Sequence, residues 1–146
     1  MKPTRLVTVF AHPVTLAIAA VPLVATVKHR REVATRLAFA LPLGWATSKA
    51  LKRVHPRRKP KLLSFTPRQS FPSGHLAATT AFAGSLVDAY RAWRAAPIAA
   101  VVLGLAGASR VHDREHRVSE VLAGIAIGLA AVVLGGFAAR YLERVA

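Results

Sequence analysis

Phe71-Pro72-Ser73-Gly74-His75-Leu76-Ala77-Ala78-Thr79-Thr80-Ala81-Phe82-Ala83-Gly84-Ser85-Leu86-Val87-Asp88-Ala89-Tyr90 joins a small-residue turn directly to an apolar run. Proline restricts the entry to a helix, serine can cap it, and glycine lets backbone amides come close to a ligand. Amides at a helix start, together with the helix dipole, attract an anion. His75 falls in the first turn, beside that anion. The stretch therefore predicts a helix with a polar, anion-seeking start and a body, 76–90, apolar enough for a bilayer.

Outward from it the same alternation repeats. Residues 49–68 carry eight Lys or Arg and no acid, and read as a basic loop. Residues 6–27 are apolar apart from His12 and the threonines, and contain Pro13 and Pro22. That length spans a bilayer, where neighbouring helices can satisfy the carbonyls a proline frees. It reads as a retained first helix, because no small-residue cleavage site is clear and more apolar segments follow. Residues 33–48 form a short second segment containing Arg36, expected to snorkel to the near surface. Residues 95–108, extendable to 93–109, form the fourth, and 121–139 the fifth and cleanest. Gly124 and Gly128 make a Gly-x-x-x-Gly step, as close helix packing requires. The expected fold is an all-α polytopic membrane bundle of about five transmembrane helices, one domain over residues 1–146.

Composition agrees. Hydrophobic residues make up 53% of the chain although its formal charge is +15. Both hold if the charges sit in short links between spans. With no Cys, disulfides and thiolate chemistry are excluded. Nucleic-acid binding fits poorly, because the basic residues flank apolar segments and only two Trp and two Tyr could stack on bases. An odd number of spans puts loops 49–68 and 110–117 on one membrane face with the N-terminus. Most Lys and Arg fall on that face, which favours the cytoplasm. The bias becomes slight once Lys52, Lys59 and Arg110 are set aside for chemistry.

The second polar stretch is Ser109-Arg110-Val111-His112-Asp113-Arg114-Glu115-His116-Arg117-Val118-Ser119-Glu120. If it is helical from His116 onward, His116 and Glu120 share a face. The carboxylate then accepts a hydrogen bond from one ring nitrogen and leaves the other the better nucleophile. Arg110 offers a planar fork to phosphate oxygens, and Lys52 and Lys59 add charge on the same face. Two histidines, several cations and a Ser-Gly turn suit phosphomonoester hydrolysis. His112, Asp113 and Glu115 read as a polar loop lining the entrance. The remaining loop cations read as topology signals or lipid contacts, and His12, His29 and His55 as interfacial or structural.

These parts resemble the type 2 phosphatidic acid phosphatase family of integral-membrane lipid phosphatases. Its pattern is Lys, six residues, Arg-Pro; then Pro-Ser-Gly-His; then Ser-Arg, five residues, His, three residues, Asp. Here the parts are Lys52 with Lys59-Pro60, then Pro72-Ser73-Gly74-His75, then Ser109-Arg110 with His116 and Glu120. Lys59 stands where the family has Arg, and Glu120 where it has Asp. Five spans in place of the more usual six suggest a minimal version. The resemblance implies His116 as nucleophile, His75 as general acid and Glu120 as the group that orients His116. It implies Lys52, Lys59, Ser73, Gly74 and Arg110 as phosphate ligands, with no metal or other cofactor. The substrate would be a lipid phosphate, best a polyprenyl-phosphoryl sugar phosphate such as decaprenyl-phosphoryl phosphoribose, in a bacterial inner membrane. An undecaprenyl diphosphate is the nearest rival substrate. A non-catalytic anion-binding or transport bundle and a basic membrane adaptor are the rival classes.

Overall fold

The computed structural model describes residues 30–55 and 71–145, and every regular element among them is helical. The expected first span, 6–27, and Lys59 lie outside the described residues. Four helices follow in order: α1 (Arg30–Val54), α2 (Gly74–Ala89), α3 (Ala96–His112) and α4 (Val118–Val145). A 3₁₀ turn, Trp93–Ala95, leads into α3.

Helix α1 is longer than the apolar run predicts. It continues through Lys49, Lys52 and Arg53, so residues 49–54 are helix and not loop. Lys and Arg are good helix formers, and cations suit the negative end of the helix dipole. Helix α2 starts at Gly74, with Ser73 at the N-cap position. Pro97 sits in the first turn of α3, where its missing N–H costs nothing.

Helices α1, α2 and α4 pack closely on one another, and α3 leans on them lightly. Their shared interior is made of small side chains. Ala40, Ala77, Ala78, Ala81 and Ala131 are buried, with Val33, Leu37 and Leu76 among them. A Cβ on Gly128 would come within 2.5 Å of Thr80 Cβ and 2.7 Å of the Ala77 carbonyl. Glycine there lets α4 lie against the backbone of α2. The large apolar side chains point outward instead. Ile98, Val101 and Leu105 on α3, and Leu129, Val133 and Phe137 on α4, are exposed. Trp93–His112 and Val118–Val145 are each long and apolar enough to cross a membrane.

Arg36 departs from expectation. It does not snorkel but is buried at 5% exposure. Its guanidinium pairs with Glu32 on its own helix, at 2.7 Å, and with Asp88 at the end of α2. Gly136 of α4 leaves room for it, since a Cβ there would meet Arg36 Nη1 at 2.9 Å. Desolvating an arginine is tolerable only when carboxylates answer it, and Asp88 supplies the second. The pair ties α1 to α2 at the end of the bundle away from Gly74.

Candidate active site

The end of α1, the start of α2, the end of α3 and the start of α4 meet at one end of the bundle. A backbone hydrogen bond joins the two main sequence motifs. The Ser73 N–H donates to the Glu120 carbonyl at 3.0 Å. Gly124 permits the approach, because a Cβ there would meet the Ser73 carbonyl at 2.5 Å. The Pro-Ser-Gly-His turn therefore rests on the first turns of α4.

Helix α4 begins at Val118, just past His116. Glu120 is its third residue and is fully buried. Its Oε2 accepts from the Arg117 N–H at 3.0 Å and lies 3.2 Å from His116 Nδ1. The first contact is the glutamate half of a capping box, satisfying a backbone donor at the helix start. The second holds the imidazole. With the proton on Nδ1 facing the carboxylate, the ring's lone pair is on Nε2. One carboxylate thus starts the helix and sets the histidine.

Lys52 comes to the site from the last turn of α1. A Cβ on Gly74 would stand 3.7 Å from Lys52 Nζ and 3.8 Å from Ser48 Cβ. A side chain at position 74 would fill the space beside the lysine, so glycine keeps it open. His75 occupies the second position of α2, and its carbonyl accepts from Thr79 Oγ1 at 2.8 Å. First-turn amides of such a helix point out along its axis and collect anions.

Arg110, in the last turn of α3, is 4% exposed. Its carbonyl accepts from the N–H groups of Glu115 and His116, at 3.0 and 3.2 Å. The loop 113–117 therefore folds back on Arg110, and Arg114 at φ 53 makes the reversal. Arg110 Nη1 donates to Glu115 Oε2 at 2.5 Å, while Nη2 is buried with no hydrogen-bond partner. Ser73 Oγ and Ser48 Oγ are likewise buried and unpaired. Ser73 occupies the N-cap position without a side-chain cap bond, so its hydroxyl is not the cap expected. A buried polar atom without a partner costs about 1–3 kcal/mol, more beside a charge. Sites that bind a ligand leave such atoms for it.

Lys52, Ser73, Gly74, His75, Arg110, His116 and Glu120 therefore lie on elements that converge. Sequence reasoning missed Ser48 and the bond from Glu115 to Arg110. Ser48 had a signal: it precedes Lys52 by four residues and shares its helix face. His112 is exposed but closes α3, so the polar loop begins after it and not at Arg110, and His55 packs edge to face on Phe71, centroids 6.4 Å apart. Among the described residues no three of His, Asp or Glu group as metal ligands would.

An imidazole set by a carboxylate stands at this end of the bundle with a helix start, a buried arginine and a half-buried lysine. The chain matches the model of the PAP2 superfamily over residues 55–139, more than half its length, and it belongs to that family. Membership points to a phosphatase. No curated protein and no solved structure matches the chain.

Proposed function

We propose that the protein is an integral-membrane lipid phosphatase that removes a terminal phosphate through a phosphohistidine. His116 Nε2 attacks phosphorus, forming an N–P bond as the P–O bond to the lipid breaks. Protonated His75 gives its proton to the departing oxygen, and neutral lipid alcohol leaves. Water then attacks the phosphorus of the intermediate and gives a proton back to His75. Inorganic phosphate leaves, and His116 returns to its starting state. Lys52, Lys59, Arg110, Ser73 Oγ and the amides near Gly74 would carry the charge on the non-bridging oxygens. No step calls for a metal.

The observation that carries this reading is the buried Glu120 carboxylate on His116 Nδ1, in a residue whose carbonyl holds the Ser73 N–H. It joins the family's nucleophile to its Pro-Ser-Gly-His turn. A lipid substrate is supported by a second feature. An apolar cleft of ≈620 Å³ runs between α2, α3 and α4, lined by Thr80, Gly84, Leu103, Gly104, Ile125 and Leu129. It would take an acyl or prenyl chain entering sideways from the bilayer. Our preferred substrate is a polyprenyl-phosphoryl sugar phosphate, with the site on the cytoplasmic face of a bacterial inner membrane. The proposed fold is a polytopic bundle of about five spans, two of which, α3 and α4, are long and apolar enough to cross a membrane.

The test is phosphate release from a panel of lipid phosphates, with and without chelator, by purified protein and by His116→Ala. The panel includes phosphatidic acid, a polyprenyl monophosphate, its phosphoryl sugar phosphate and its diphosphate. Release by the wild type and none by His116→Ala is expected. Equal release by both would end the enzyme reading and leave an anion-binding bundle. A preference for the diphosphate would reassign the substrate.

A further inference from the structure

We infer that Glu115 is the positioning residue of Arg110, holding one edge of its guanidinium so that the other is left for the phosphoryl group; this rests on Arg110 being a phosphate ligand. The loop after α3 ties itself to Arg110 twice. The Arg110 carbonyl takes the N–H groups of Glu115 and His116, and the Arg110 side chain takes the Glu115 carboxylate at 2.5 Å. The first tie sets the nucleophile's backbone. The second sets the cation.

The geometry is economical. An arginine has five N–H donors in a rigid plane, and fixing one nitrogen fixes the direction of the rest. Nη1 is held, and Nη2 is buried without an acceptor. A guanidinium whose other donors were all satisfied by protein would have nothing to offer an anion. One with no protein partner would have to give up side-chain freedom each time a ligand bound. Glu115 supplies the intermediate case. Its side chain is 36% exposed against 5% for Arg110, so the carboxylate reaches inward from the rim. Glu115 thus does for Arg110 what Glu120 does for His116. The loop thus carries the group that attacks and holds the group that binds.

A competing role is distinguishable. If Glu115 merely occupied the anion's place on Arg110, its removal would tighten phosphate binding. If it positions Arg110, removal weakens it. Inorganic phosphate titrated calorimetrically into the detergent-solubilised full chain decides between them, alongside kcat and KM on a lipid phosphate monoester. Glu115→Gln keeps the shape and removes the charge, and is expected to weaken phosphate binding about tenfold. KM should rise by a similar factor, with a smaller change in kcat. Glu115→Asp keeps the charge and should recover part of the loss. In an Arg110→Ala background, Glu115→Gln should have no further effect. Unchanged or tighter phosphate binding by Glu115→Gln would overturn the inference, as would a wild type that binds no phosphate. A wild type that binds phosphate but hydrolyses no lipid phosphate defeats the phosphatase reading alone, and the titration still decides the role of Glu115.

Discussion

Glu120 carries two duties through one oxygen. Its Oε2 serves both the Arg117 N–H and His116 Nδ1. Glu120→Gln separates them, because glutamine also caps at this helix position. The variant should keep its melting temperature and lose kcat by about a hundredfold or more, as a carboxamide lacks the charge that stabilises the imidazolium. A matched fall in melting temperature and kcat would mean the residue is structural. The spacing of His116 and Glu120 made this pair readable without coordinates. Its geometry was not, since the helix begins after the histidine and the carboxylate reaches back to it. Ser48 was passed over for a related reason. Its four-residue spacing from Lys52 is a faint mark on its own, and its place near Gly74 gives that mark meaning.

Among the helices, packing depends on where side chains are absent. Gly128→Ala would press a methyl against Thr80 and the Ala77 carbonyl. It should destabilise the bundle by about 1–3 kcal/mol, read as a lower midpoint of thermal unfolding in detergent. Gly104→Ala is the control. A Cβ at Gly104 meets nothing within 4 Å, so that variant should unfold with the wild type or slightly above it. The Gly-x-x-x-Gly step was visible from the start, but the same pattern occurs by chance in Ala- and Gly-rich spans. Contact with α2 gives it meaning, and at Gly124 it also admits the Ser73 carbonyl to the site. Arg36 makes the opposite case. Arg36→Ala leaves Asp88 and Glu32 without their cation and should cost about 3 kcal/mol. That is the lower end of the usual range, because the two carboxylate side chains are 29% and 27% exposed. A midpoint unchanged in Arg36→Ala would return the arginine to the surface role first expected of it.

Across the whole molecule, α3 stands apart. It packs weakly on α2 and α4 and leaves the apolar cleft between them. Gly104 lines that cleft and has open space before it. Gly104→Phe should therefore fill the cleft without straining the fold. If a lipid chain lies there, KM for a long-chain lipid phosphate should rise about tenfold, while a short water-soluble phosphate ester is turned over as before. Equal effects on both substrates would place the chain elsewhere.

The order of the four described helices followed from the residues, because hydropathy and spacing are local properties that do not depend on folding; their ends did not, since α1 runs to Val54 and α4 to Val145, both past the apolar runs 33–48 and 121–139. The basic run hid the last turn of α1, since composition does not distinguish a charged helix end from a loop. The four meetings that make the site and its frame are of another kind: Ser73 on Glu120, Lys52 beside Gly74, Glu115 on Arg110, and Arg36 on Asp88. Arg36 and Asp88 stand 52 residues apart. Even the near pair, Arg110 and Glu115, meets only because Arg114 reverses the loop. Such contacts arise when helices are brought side by side, and small residues at Gly124, Gly128 and Gly136 set how close they come.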